Sequence, residues 1–426
     1  MVEGTAASMV SQVGIFKEIF DKYQDNIPDY ALVQQAFPFD KAVATGKKFT
    51  QAIRTHRSNS CTYFPASSTG TSFIPFNASK IERAEIQGSQ IVMRDGITLE
   101  DMFSGDSDKK SVSNSTKLVA EGLGDDARFR IEVDCLHGQS ANGLGVAVGA
   151  GAGNVVTIKP ATFIPGLYFG QEEAQMDVFS SNLGTQRTGL GTDTIGSKFY
   201  LIDEVDLDAG TIKLDDDQNI AQDDVVFFRT QRTTGAYNTM PGIRSWLTAT
   251  GTVANIDSAL SVWKPSSLSA SNGPLTFDLI LKGCAQVSYR GQAGKMIAWV
   301  PATSWKDLMN DLAAAVRRVD NNVKKYTLGA ESVEFHTGTG MVEVRVHQLM
   351  ANGEAFVVPA DGYKRVGACD LTYLREGDSV AATGSNGFYW SKVQGTDLYE
   401  LDVFSHQTMY TAMRCRGFII TDIVSN

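Results

Sequence analysis

Proline is scarce and basic charge falls short in this chain of 426 residues: 11 prolines stand against 40 glycines, and 38 Lys and Arg against 48 Asp and Glu. The net charge of −10 argues against a nucleic-acid binder, because neutralising a phosphate backbone takes clustered cations. Long hydrophobic runs are missing too, and none approaches the roughly 18 residues that span a bilayer. The start, Met1 to Phe16, lacks the basic residues and compact apolar stretch of a secretory leader. Cysteine is sparse, odd in number and scattered at Cys61, Cys135, Cys284, Cys369 and Cys415, with no Cys-x-x-Cys pair. That pattern points away from a zinc site or a disulfide framework. It favours five inert thiols in or near cores, in a reducing compartment.

What is present reads as a folded, strand-rich chain. Hydrophobic residues make up 42 % and charged residues 20 %, and the length suits two or three cores of about 100–200 residues each. Phe16, Ile19, Phe20, Tyr23 and Ile27 form one apolar stripe on a helix that Pro28 should stop. This helix either packs on its own domain or forms an N-terminal arm whose stripe is buried on a neighbouring subunit. A short apolar run, Ala31 to Phe37, follows and ends at Pro38. Lys48 to His56 partly alternates, with Phe49 and Ile53 on one face, and a second strand-like run returns from Ala84 to Met93. Between them lies a polar span, Ser58 to Ser79, that carries Tyr63, Phe64, Phe73 and Phe76. The two runs predict a long two-stranded arm. An isolated hairpin is marginal in water, so such an arm needs another subunit to lie on.

From Ser111 to Leu136 the pattern turns helical, and about 26 residues at 1.5 Å each predict roughly 39 Å of helix. Gly122 and Gly124 inside it should each cost about 1 kcal/mol against alanine, and hint at close packing or a bend. The run Gly143 to Asn154 reads as a turn-rich linker. Strands are expected at Val155–Ile158, Lys198–Val205, Thr211–Leu214 and Val225–Thr230, the last three forming a small module from about Thr194 to Thr233. Met296–Val300 reads as a buried strand. Thr303 or Ser304 should cap a helix with Trp305, Leu308, Leu312, Val316 and Val319 on one face. Strands at Ser332–Phe335, Met341–Val346 and Ala355–Val358 complete a second α+β domain. Asn352-Gly353 between the last two is the signal of a hairpin.

Motifs that carry chemistry fail one by one. The glycine run Gly143 to Gly153 has Val148 where a dinucleotide fingerprint needs its third glycine, and no Lys-Ser/Thr follows. Asp215, Asp217 and Asn219 have calcium-loop spacing, but Ile220 replaces the required glycine and Val226 the bidentate Glu. Asp203, Asp206 and Asp208 read as exposed strand and turn carboxylates. The five histidines include no i, i+4 pair. Gly138 to Gly143 is one residue out from a nucleophile elbow and follows a helix rather than a strand. No catalytic, cofactor-binding or metal-ligating residue is singled out.

The order of parts resembles the major capsid proteins of tailed bacteriophages with the Hong Kong 97-type fold, in the podovirus-like branch. The segments that carry the likeness are Gly46 to His56, Ala84 to Thr98, Phe129 to Gly145 and Ala161 to Glu173. The resemblance implies an α+β fold divided into an N-terminal arm (1–43), an E-loop (44–98), a P-domain (99–245), an A-domain (246–358) and C-terminal strands returning to both domains (359–426). The P-domain would hold the spine helix at about 111–136 and a β insertion at about 194–233. It further implies a non-enzymatic coat protein, without cofactor or metal, assembling as pentamers and hexamers into an icosahedral shell around double-stranded DNA. The DNA would be contacted weakly and non-specifically. A separate scaffolding protein, a portal and a decoration protein are the implied partners, with the virion as location and the host cytoplasm as the place of assembly. Two other readings remain, a nanocompartment shell of the same fold and a β-rich enzyme or adhesin. Expected inter-subunit contacts are Phe16, Ile19, Phe20 and Tyr23 on the arm, and Phe49, Ile53, Tyr63, Phe64, Phe73 and Phe76 on the E-loop.

Overall fold

The computed structural model describes residues 31–41, 48–64, 72–98, 115–150, 154–189, 191–192, 198–215, 219–310, 332–338, 340–373, 390–392 and 396–425. The helix expected over Phe16, Ile19, Phe20, Tyr23 and Ile27 lies outside them, as do Asp217, Leu312, Val316 and Val319. The described chain opens with a short helix, Leu32–Ala36, and strand β1 (Phe39–Lys41). Next come β2 (Lys48–His56) and β3 (Lys80–Gln87), an antiparallel pair, then β4 (Ser89–Thr98) and a long helix, Ser115–His137. Strands β5 (Gly145–Ala150), β6 (Val155–Ile158), β7 (Gln175–Phe179), β8 (Gly191–Thr192), β9 (Lys198–Asp206), β10 (Thr211–Leu214) and β11 (Val225–Phe228) follow. Two short ladders, β12 (Arg232–Thr233) with β13 (Ala236–Tyr237) and β14 (Thr252–Val253) with β15 (Ile256–Asp257), lead to the last third. There stand β16 (Ser266–Gly273), a helix Phe277–Ser288, β17 (Met296–Val300), a helix Ala302–Asn310, β18 (Ser332–Thr337), β19 (Gly340–Val346) and β20 (Ala355–Pro359). Strands β21 (Tyr363–Tyr373), β22 (Trp390–Lys392), β23 (Leu398–Thr411) and β24 (Phe418–Ile423) close the chain.

Among the described residues three sheets carry the fold. β23 is flanked by β4 on one side and by β21 and β22 on the other, with β1 parallel to β21. The long helix lies against this sheet, where Ala120, Leu123 and Ala127 pack on Leu401 and Val403. Its 23 residues give about 35 Å at 1.5 Å per residue. The helix runs unbroken through Gly122 and Gly124. A Cβ at Gly124 would sit 3.0 Å from the Tyr373 hydroxyl, which donates to Ala120 O at 2.9 Å, so the glycine there admits a crossing side chain.

The second sheet closes on itself. β5, β6, β10, β9, β7 and β11 pair in turn, and β11 returns to β5, so six antiparallel strands form a barrel with β8 attached to β9. Alternation sorts its side chains: Val226 and Phe228 join the main core, while Val225 and Phe227 form a separate cluster with Phe179. Two sequence expectations are corrected here. The glycine run is not a linker, since Gly145–Ala150 is a strand in this barrel. Gly145 is needed because a Cβ would fall within 3.0 Å of Ile158 and the Tyr168 hydroxyl. The strands expected near 194–233 also do not stand apart, since β9, β10 and β11 pair with β5, β6 and β7 from further up the chain.

The third sheet has the order β16-β24-β20-β17-β19-β18. The hairpin expected at Asn352-Gly353 is absent: β17 lies between β19 and β20, parallel to one and antiparallel to the other. Asn352 and Gly353 instead dock on the preceding domain, donating backbone N–H groups to Phe163 O at 3.1 Å and Ala161 O at 2.9 Å. The helix Phe277–Ser288 was not anticipated, although Phe277, Ile280, Cys284 and Val287 are buried at helical spacing and Thr276 caps its start by accepting from Leu279 N. The thiols Cys135, Cys284 and Cys369 are buried and Cys415 is partly so, but Cys61 is exposed on the β2–β3 hairpin, contrary to the expectation of cores throughout.

Candidate functional site

The β2–β3 hairpin is the feature that the rest of the chain does not explain. Its register runs from Lys48 opposite Gln87 to His56 opposite Lys80, with an irregularity between Arg54 and His56. The base is part of the body. Ala84 and Ile86 are buried in the main core, Ile53 packs against it, and Glu85 N donates to Ala254 O at 3.0 Å. Phe49 is half-buried beside Gly88 and borders a groove of about 330 Å³ with Val366, Tyr410 and Met413. Beyond His56 the ladder stops and short polar side chains zip the strands together. Ser58 and Ser60 hydroxyls each donate to Asn77 O at 3.0 Å, Asn77 N donates to Ser60 Oγ at 2.7 Å, and Ile74 N donates to Thr62 Oγ1 at 3.0 Å.

The tip gathers several exposed apolar side chains, which elsewhere among the described residues are scattered along the chain, as at Val148, Phe169, Val262 and Tyr289. Tyr63 is 89 % exposed, Phe73 82 % and Phe76 84 %, with Phe64 and Ile74 exposed beside them and Ile81 exposed on the shaft. Phe64 and Phe73 meet edge to face with centroids 5.7 Å apart. Such a patch on an extended arm marks a surface made for contact. The expected E-loop residues therefore separate into two groups. Phe49 and Ile53 lie at the base, while Tyr63, Phe64, Phe73 and Phe76 converge at the tip. The arm residues Phe16, Ile19, Phe20 and Tyr23 are outside the described residues. Ile74 and Ile81 were missed; Ile74 stands between Phe73 and Phe76, and Ile81 interrupts the polar run Asn77 to Arg83, which are the signals that could have found them.

The segment leading into the hairpin is clamped to the body by buried polar groups. Glu132 of the long helix accepts from the backbone N–H groups of Val33 and Gln34 and from His347 Nε2 at 2.9 Å. Leu349 N donates to His347 Nδ1 at 3.0 Å, which sets the tautomer with the proton on Nε2. Arg365, also buried, donates to Phe37 O at 2.8 Å and to Gln407 at 2.9 Å.

A cleft of about 410 Å³ opens between β4, the long helix and the barrel, lined by Gln90 to Met93, Arg130, Asp134, Gln175 and Phe228 to Gln231. Burial pushes the Asp134 carboxyl up to about 7, against the pull of Arg130 and a 3.1 Å hydrogen bond from Gln231. Burial likewise draws Arg130 down to about 10, with its guanidinium 3.3 Å above the Phe228 ring. Three residues beyond Asp134, His137 is lowered to about 4 by burial and donates to Leu349 O at 2.7 Å. Of the carboxylates singled out by spacing, Asp215 accepts from Leu201 N at 2.9 Å and Asp206 accepts from the turn N–H groups of Asp208 and Ala209. These are structural roles.

A long helix along one sheet, a projecting hairpin whose base continues into that sheet, and a separate α+β layer make up the α+β subunit fold of tailed-phage capsids, of Hong Kong 97 type. The capsid asymmetric unit of cyanophage A-1(L) shares it, at 12 % identity over 96 % of this chain and 97 % of that one, with a TM-score of 0.57. The capsid of an empty GTA particle aligns at 8 % identity over 100 % of this chain and 98 % of that chain, with a TM-score of 0.48. The cyanophage Pam1 capsid aligns at 9 % identity over 95 % and 96 %, with a TM-score of 0.45. No protein-family model and no curated protein matches the sequence. The fold rests on the first of these structures.

Proposed function

We propose that this chain is the major capsid protein of a tailed phage, a non-enzymatic coat subunit that assembles with copies of itself into an icosahedral shell around double-stranded DNA. The observation that carries the reading is the aromatic hairpin tip: four aromatic side chains held in solvent on an arm of a capsid-type fold. Each aromatic buries about 150–250 Å² when covered, and about 25 cal/mol per Å² makes that several kcal/mol per side chain, gross. Ordering costs take much of it back, but a subunit with many neighbours repeats the gain. In this reading residues 44–98 are the E-loop, 99–245 the P-domain with the barrel, 246–358 the A-domain, and 1–43 an arm whose stripe lies on a neighbour. Pentamers and hexamers, a separate scaffolding protein, a portal and a virion location belong to the same proposal. The acidic balance suits a shell that lets its genome slide. Negative-stain microscopy of the purified chain, alone and with scaffolding protein, tests it: closed particles are expected, and a chain that stays monomeric under both conditions overturns it.

A further inference from the structure

The hairpin has a second property besides its greasy end. Residues 48–87 hold five Lys and Arg against two Glu, a net of +3, on a chain whose total is −10, so the remainder carries −13. Glu85 is matched by Lys48 at 3.1 Å. What is left forms a band below the tip in which Glu82, half-buried opposite Ile53, is the one carboxylate: Arg83 and Arg54 lie in alternate cross-strand pairs (Ala52 with Arg83, Arg54 with Ile81), Lys80 pairs with His56, Arg57 follows directly, and all four cations are exposed. We propose that this cationic shaft docks on an anionic face of a second copy of the chain, so that charge steers the arm before the aromatic tip seats. The inference rests on the shell reading and deepens it.

Charge arithmetic selects the partner, since a sister copy outside its own hairpin is strongly acidic. The densest run of exposed carboxylates among the described residues lies along β9 and the turn after it: Asp203, Glu204, Asp206 and Asp208, with Glu172 and Glu173 beside them through the Glu173 N to Ile202 O bond of 2.7 Å. Lys213 approaches Glu204 only at 4.0 Å, so the strand stays anionic. The barrel thus offers the counter-charge. Exposed charges of this kind contribute little to stability within one chain but govern association rate and partner choice.

Assembly followed by light scattering from about 0.1 M to about 1 M NaCl tests this, because the Debye length shrinks from about 10 Å to about 3 Å across that range. The wild-type assembly threshold is expected to rise about tenfold with salt. Arg54→Glu/Arg83→Glu should raise it about tenfold at low salt and little at high salt, with unchanged circular dichroism and melting. Adding Asp203→Lys/Asp208→Lys to the same chain should restore the wild-type threshold at low salt. A threshold indifferent to salt and to the hairpin reversal overturns the inference alone. So does a combined variant no better than the hairpin variant, or a wild-type chain that shifts a DNA oligonucleotide on a gel while the hairpin variant does not. A wild type that remains monomeric at every salt concentration overturns the shell reading with it.

Discussion

At the base of the β2–β3 hairpin Ala84 and Ile86 are sealed into the core, whereas at the far end Tyr63, Phe73 and Phe76 stand in solvent on a scaffold of serine and asparagine hydrogen bonds. One pair of strands thus serves two masters. Side chains at the base have their apolar partners within the chain, and truncating them costs folding free energy. Those at the tip have little within the chain beyond the Phe64–Phe73 contact, so under the proposed function their truncation is felt chiefly between copies. Stability and assembly are separable along a single hairpin.

The largest effect that sharpens this contrast comes from pH, on the base side. Asp134 lines the cleft beside β4, and its folded pKa of about 7 exceeds the ordinary carboxylate value. Between about pH 4 and 7 the folded state keeps a proton that the unfolded chain releases, so this group's stabilisation falls as pH rises. Its neighbour His137, held near 4, works the other way and loses stability as pH falls below about 6.5. The two offset each other in the wild type. In urea unfolding, Asp134→Asn should remove one slope and make the chain less stable on acidification from pH 7 to 4, by an order of 4 kcal/mol relative to wild type. A parallel pair of pH profiles would show that Asp134 titrates normally.

Ile86→Ala comes next, with a loss of about 3 kcal/mol of subunit stability read by the same unfolding, since a buried isoleucine is removed where the base meets the core. Phe73→Ala should leave unfolding within about 0.5 kcal/mol of wild type yet raise the assembly threshold about thirtyfold, a loss of about 2 kcal/mol per contact. If it destabilised the isolated subunit as much as Ile86→Ala does, the division between base and tip would be gone. Smallest of all, Lys48→Ala breaks an ion pair that is largely exposed and should shift unfolding by less than about 0.5 kcal/mol.

The hairpin was legible because its shaft alternates and its aromatics interrupt a polar span; both signals are local. What divides base from tip is not local. Ile86 is buried and Ile53 half-buried because β15 and the main core happen to lie beneath them, and no period in the sequence says so. The run Ala84 to Met93 hides its break at Gly88, where the chain passes from the hairpin to β4 alongside β23. The long helix was readable from its three- and four-residue steps, ending at His137 rather than Leu136. The barrel was not, because glycine in Gly145–Ala150 gives turn chemistry priority over strand pairing whenever the close neighbours, here Ile158 and Tyr168, are unknown. Asn352-Gly353 misled for a related reason: its backbone is taken by the segment Ala161–Phe163 instead of a tight turn.

Closure of the β5–β11 strands into a ring has a consequence for crowded conditions. An open sheet border exposes a row of unsatisfied amides, ready to stitch onto any like border nearby, and in the proposed shell like borders would be packed at very high local density. Joining β9 to β10 retires those borders, so wrong-order stitching between barrels has nowhere to begin and adhesion is left to the elements meant for it.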